Sequence, residues 1–83
     1  MLWDSRFEPI VRPHLTFLPD DAEFAADLDL RDFGLDSLGI VDLLIELENT
    51  YQVTFTDDAL AMETFATPGS LWATLTGLFA AAA

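Results

Sequence analysis

Cysteine is absent from this chain of 83 residues, so neither disulfides nor thiolate metal sites hold it together. Lysine is absent as well. All formal positive charge comes from Arg6, Arg12 and Arg31, set against fifteen acids for a net charge of −12. Such a chain repels nucleic acid and anionic lipid, and it attracts basic protein surfaces over about a Debye length. No apolar stretch approaches the ~18 residues that span a bilayer. The N-terminus lacks a basic region followed by an apolar run, so no signal peptide is expected and the location expected is the cytoplasm.

What remains still makes a folded domain, because apolar residues are 52% of the chain, well above a disordered composition. The length allows one domain over 1–83, with a small core that buries somewhat over ~60% of the unfolded surface. Met1 and compact ends are expected of a discrete protein rather than a piece of a larger synthase. The alanines from Ala80 to Ala83 read as a frayed tail.

Apolar spacing is mostly helical, and no strong alternating strand pattern stands out. A first helix is predicted from about Ser5 to Phe17, started by the Ser5–Glu8 capping box or by Glu8 before Pro9, and kinked or shortened by Pro13. A long connection from Leu18 to Leu35 follows. It carries Asp20, Asp21, Glu23, Asp27, Asp29 and Asp32, yet Phe24, Leu28, Leu30, Phe33 and Leu35 are too many apolar residues for a free linker. They should pin the loop across the helices, with a short helical turn near Asp21–Ala25. A second helix is predicted from Ser37 to about Tyr51, then an extended Val53-Thr54-Phe55, then a short third helix capped by Thr56 or Asp57. Thr67-Pro68 starts a last helix through Phe79. The expected fold is all-α: a small four-helix bundle of three long helices and one short, with a long first loop.

The second helix carries more apolar residues than one buried face requires. At about 100° per residue, Ile40, Leu43, Leu44, Leu47 and Tyr51 make a core stripe. Leu38, Val41 and Ile45 fall on the opposite side, framed by Asp42, Glu46, Glu48 and Asn49. Either the loop or the short third helix covers Val41 and Ile45, or the strip stays open to a partner with an apolar groove and a basic rim.

That strip begins beside Gly34-Leu35-Asp36-Ser37-Leu38. Asp36 is suited to the N-cap, which makes Ser37 the first helical residue, next to the positive end of the helix dipole. A phosphate joined to its hydroxyl would lie where helix N-termini favour anions. Asp36 opposes that charge, and Arg31 either offsets it or forms a salt bridge within the loop.

These residues resemble the carrier proteins that bear 4′-phosphopantetheine, the acyl and peptidyl carrier family. Asp36-Ser37-Leu38 matches the attachment motif, and the similarity runs from about Phe7 to Phe79. The resemblance implies that Ser37 receives the arm from coenzyme A through a magnesium-dependent phosphopantetheinyl transferase. The arm's thiol then holds an acyl or aminoacyl group as a thioester. It also implies that Leu38, Val41 and Ile45, with the neighbouring Asp42, Glu46 and Glu48, meet partner enzymes: an adenylating enzyme or acyltransferase that loads the arm, and a downstream synthase or transferase. Gly34 to Gly39, Leu43 to Glu48 and Phe65-Ala66-Thr67-Pro68 look most like discrete carriers that receive amino acids, such as D-alanyl carrier proteins. Similar stand-alone carriers occur in bacterial polyketide, macrolactam and enediyne pathways, so polyketide, nonribosomal-peptide or antibiotic biosynthesis is the implied setting. The implied molecule is a monomeric, non-catalytic substrate tether. Gly39 replaces the polar residue common in fatty-acid carriers and would give a partner closer backbone approach.

Other chemistries fit less well. A serine hydrolase needs the G-x-S-x-G elbow, and the spacing around Ser37 fails on both sides. The single histidine, His14, reads as a surface or boundary residue. Asp27 to Asp32 is acid-rich, but it lacks the EF-hand glycine and puts Arg31 at a ligand position, so no metal site is expected. The remaining rival is an acidic helical adaptor without a prosthetic group.

Overall fold

A computed structural model describes residues 3–19, 21–56 and 58–82, and among them it is helical with no strand. Helix α1 spans Phe7–Val11 and runs into a 3-10 turn at Arg12–His14; α2 spans Ser37–Tyr51 and α3 spans Pro68–Ala82. Two further 3-10 turns, Asp58–Leu60 and Met62–Phe65, lie between α2 and α3. The expected three long helices and one short thus become two long helices, a short α1 and two single turns.

The first helix is shorter than its sequence spacing predicts. Pro13 cannot donate a backbone bond, so the chain tightens to 3-10 geometry around it, and Leu15 leaves the helical region at φ −101°, ψ 79°. The predicted capping box does not form either. Arg6 holds the N-cap without a side-chain bond, and the Glu8 carboxylate instead accepts from Arg12 Nε one turn on, at 3.1 Å.

The loop before α2 is pinned as expected. Leu18, Phe24, Leu30 and Leu35 are buried with Phe7, Val11, Leu43, Leu47, Leu71 and Leu75 in one core. Backbone bonds fasten it: Leu30 N–H donates to the Ala66 carbonyl at 3.0 Å, and Gly69 N–H donates to the Ala26 carbonyl at 2.9 Å. The helical turn predicted at Asp21–Ala25 is absent. Ala22 N–H closes a single turn onto the Pro19 carbonyl, and Arg12 reaches across to the Pro19 and Ala22 carbonyls. Those contacts and the burial of Phe24 draw the segment out over the core.

The remaining elements follow local chemistry. Gln52 takes the left-handed conformation at φ 57° and stops α2. Val53 and Phe55 are buried while Thr54 is exposed, as an extended segment requires. Thr56 Oγ1 accepts from Ala59 N–H at 3.3 Å, so Thr56 caps the turn that replaces the third helix; Asp57, the other predicted cap, lies outside the described residues. Thr67 Oγ1 accepts from Ser70 N–H at 3.1 Å, with Pro68 as the first residue of α3. That helix continues past Phe79 through Ala82, as the high helix propensity of alanine favours; Ala83 lies outside the described residues.

Aromatic contacts join the N-terminal segment to the two long helices. Phe7 meets Trp72 edge-on with centroids 5.1 Å apart, and Tyr51 meets Phe79 at 5.3 Å. Tyr51 Oη donates to Asp4 Oδ1 at 2.7 Å, and the Arg6 guanidinium lies over the Tyr51 ring. Burial pushes the Asp4 carboxyl up, but the bonds from Tyr51 and Arg6 and the Arg6 charge outweigh it, leaving Asp4 below the ordinary carboxylate range. Desolvation and the bond to Asp4 push the Tyr51 phenol well above its ordinary value. A carboxyl depressed by folding stabilises the native state above its unfolded pKa and loses that contribution as pH falls through the folded one. Asp4→Asn is therefore expected to lower the urea midpoint at pH 7, and this difference should shrink as pH falls below the ordinary carboxylate range and wild-type Asp4 takes up a proton too.

Candidate functional site

The site is built where the pinned loop turns into α2. Asp29 Oδ1 accepts from the backbone N–H groups of Arg31 and Asp32, at 3.1 and 3.2 Å. Gly34 N–H returns to the Arg31 carbonyl and Leu35 N–H to the Leu30 carbonyl. Phe17 N–H donates to the Phe33 carbonyl at 3.0 Å, which ties the end of the first helical region to this turn. Gly34 makes the fit possible: its φ is +108°, and an added Cβ would stand 2.5 Å from Thr16 Oγ1. Leu35, only 2% exposed, then anchors the chain in the core one residue before the cap.

Asp36 is the N-cap in extended geometry, and its Oδ1 accepts from Gly39 N–H at 2.8 Å. Ile40 N–H makes the first intrahelical bond, to the Asp36 carbonyl at 2.9 Å. The N–H groups of Ser37 and Leu38 are among the orphans left at this end of the helix once Gly39 is capped. Ser37 is exposed, and its hydroxyl has no hydrogen-bond partner among the described residues. Among the described residues no base is bonded to it, as an activated hydrolytic nucleophile would require. His14 lies instead with its Nε2 3.0 Å from Glu46 Oε2, bridging the first helical region to α2.

Asp36 and Ser37 share the wall of a depression of about 210 Å³ with Arg31, Leu35, Ile40, Met62 and Phe65. Met62 and Phe65 had no periodic signal to place them there, since they sit in a single 3-10 turn. Met62 is 70% exposed. The depression is lined by the apolar Leu35, Ile40, Met62 and Phe65 with one cation, one carboxylate and Ser37. The Ser37 hydroxyl is thus exposed and unbonded among the described residues, at a helix N-terminus, where anions are favoured.

The predicted outward strip is open. Leu38 is 78% exposed, Val41 51% and Ile45 50%, so neither the loop nor the turns after α2 cover them. Asp42 and Glu46 are exposed beside them. Glu48 is placed differently: it is half-buried, and its Oε2 accepts from Phe55 N–H at 2.8 Å, which secures the segment after α2. Gly39 has a further reason to be small, because an added Cβ would meet Leu35 Cδ1 at 3.2 Å and Asp36 Oδ1 at 3.3 Å. Its smallness serves the packing beneath the cap. Phe17, at 72% exposure, is a further open apolar residue; it was read as the end of a helix that stops short of it. Among the described residues no group of three or more His, Cys, Asp or Glu side chains could hold a metal ion.

Residues 15–75 match the phosphopantetheine attachment site family. The chain belongs to that family. No curated protein matches it significantly. Members of the family carry 4′-phosphopantetheine covalently, so this protein is a phosphopantetheine-bearing carrier, of a kind that meets a phosphopantetheinyl transferase and pathway enzymes. The match encloses the pinned loop, the Asp36 cap, all of α2 and the depression. Asp36→Ala in this carrier is expected to cost about 1 kcal/mol in urea denaturation through loss of the cap. Asp36→Asn keeps an acceptor for Gly39 N–H and should cost less than half as much.

Proposed function

We propose that this carrier bears its arm on Ser37 and holds an aminoacyl or acyl group there as a thioester, as a tether and not a catalyst. The observation that carries this reading is the Ser37 hydroxyl, exposed and unbonded at the capped start of a helix whose outward strip is uncovered. When attached, the arm supplies a terminal thiol. The protein's own residues fix where the arm begins and what a partner sees beside it. Binding through the protein raises the effective concentration of the tethered group at each enzyme, so weak contacts suffice. Leu38, Val41 and Ile45 supply the apolar part of those contacts, and Asp42 and Glu46 supply an acidic frame for a basic partner rim. The family match gives no support to a plain acidic adaptor.

The sequence similarity to discrete aminoacyl carriers supports a place in cytoplasmic polyketide, macrolactam or nonribosomal-type biosynthesis. There an adenylating enzyme or acyltransferase loads the arm and a synthase or transferase unloads it. The test is to offer the arm-bearing protein to adenylating enzymes with amino acids and to acyltransferases with acyl-coenzyme A, then to weigh it. An aminoacyl mass gain supports the closer reading, and an acyl gain alone moves it to simple acyl cargo. No gain from any of them defeats it. Ile45→Glu is expected to slow loading about tenfold, the effect of losing an apolar interface anchor.

A further inference from the structure

The three arginines of this chain are not equivalent. Arg6 pairs with Asp4 at 3.0 Å and lies over the Tyr51 ring. Arg12 pairs with Glu8 at 3.1 Å and holds two loop carbonyls. Arg31 is exposed, and among the described residues no carboxylate lies within ion-pair distance of its guanidinium. In a chain of fifteen acids and three arginines, a cation with no carboxylate partner among the described residues is the exception. This one lines the depression that holds Asp36 and Ser37.

An arm on Ser37 places a phosphodiester anion next to the Asp36 carboxylate, and like charges at that distance repel. The free amides of Ser37 and Leu38 offset part of this. A formal positive charge on the same wall offsets more. The fork of a guanidinium also matches two phosphate oxygens, which an ammonium cannot do in the same fixed geometry. The turn that presents Arg31 is held by Asp29 on one side and by the buried Leu30 and Leu35 on the other. The backbone beneath the guanidinium is therefore set before any arm is attached.

We propose that Arg31 is the phosphate-positioning residue of this carrier: its guanidinium pairs with the phosphodiester on Ser37 and directs the root of the arm toward the depression that Met62 and Phe65 line. This rests on the reading that Ser37 bears the arm, and the experiment separates the two. The apo protein, isotopically labelled, is converted with coenzyme A, magnesium and a broad-range transferase, and the gain of one phosphopantetheine is verified by mass. Arginine side-chain and phosphorus NMR spectra are then compared.

On conversion the Arg31 Nε–Hε resonance should shift, and its exchange with water should slow about threefold, as for a partly screened ion pair. Those of Arg6 and Arg12 should stay in place. Salt should move Arg31 back toward its apo position. In Arg31→Gln the phosphorus resonance should differ from wild type, and Arg31→Lys should restore it only in part. A modified protein whose Arg31 signal is unmoved, with the same phosphorus resonance in wild type and Arg31→Gln, overturns this assignment and leaves the carrier reading intact. A chain that gains no mass overturns both.

Discussion

Ser37→Ala is expected to yield a folded protein that takes up no phosphopantetheine, on the proposal that Ser37 bears the arm. The Ser37 side chain is exposed and makes no hydrogen bond among the described residues, so its loss should change stability by less than about 0.5 kcal/mol. The cap that starts α2 belongs to Asp36 and is untouched. The effect on modification is all-or-none, because phosphodiester formation needs an oxygen at that position. Mass spectrometry after treatment with coenzyme A, magnesium and a transferase should show one arm on wild type and none on the variant. Two other serines serve as controls. Ser5 is exposed, and Ser5→Ala should be modified like wild type. Ser70 has its hydroxyl bonded to the Thr64 and Thr67 carbonyls and is not available. An arm found on Ser37→Ala would move the attachment point elsewhere.

Gly34→Ala is expected to destabilise the domain by about 2–4 kcal/mol, through a backbone angle that side chains rarely adopt together with a steric clash. For a chain of this size, total stability is on the order of 4–12 kcal/mol, so the loss is a large fraction of it. The clash has two parts that a second substitution separates. The added Cβ would lie 2.5 Å from Thr16 Oγ1, but also 3.2 Å from the Thr16 backbone nitrogen and 3.3 Å from Phe17 Cδ2. Thr16→Ala removes only the first of these. In urea denaturation the double variant should recover about 1 kcal/mol and no more, because the positive φ and the backbone contact persist. Full recovery would place all the cost in one hydroxyl. The same distortion would shift the start of α2, so modification of Ser37 should slow as well.

How legible these features were depended on what each residue's neighbours could do. Helix α2 could be read from end to end, because Asp36 is an unambiguous cap and Leu43 and Leu47 repeat with the helical period. The open strip was legible for the same reason: a surplus of apolar residues opposite a sufficient core stripe is visible in the spacing alone. The start of α3 at Thr67-Pro68 was equally local. The first helix was not, since Pro13 permitted either a kink or a stop, and contacts of Arg12 with distant carbonyls favoured the stop. Asp21–Ala25 carried weak helical spacing, which lost to the burial of Phe24. Met62 and Phe65 could not be assigned to the site, because single turns have no period and only the folded chain brings them to Ser37. Glu48 looked like part of the acidic frame until Phe55 N–H claimed its carboxylate.

Because Asp36 closes the coil directly at Ser37, the origin of the arm and the strip Leu38–Ile45 belong to one rigid rod. The eight-residue rise from Ser37 to Ile45 measures about 12 Å of α-helix. An enzyme that grips Ile45 while drawing in the arm must therefore open its tunnel about that far from the pocket that receives the isoleucine. On the proposal that Ser37 bears the arm and Ile45 meets the partner, the helix would act as a ruler that disfavours enzymes whose two openings are spaced otherwise.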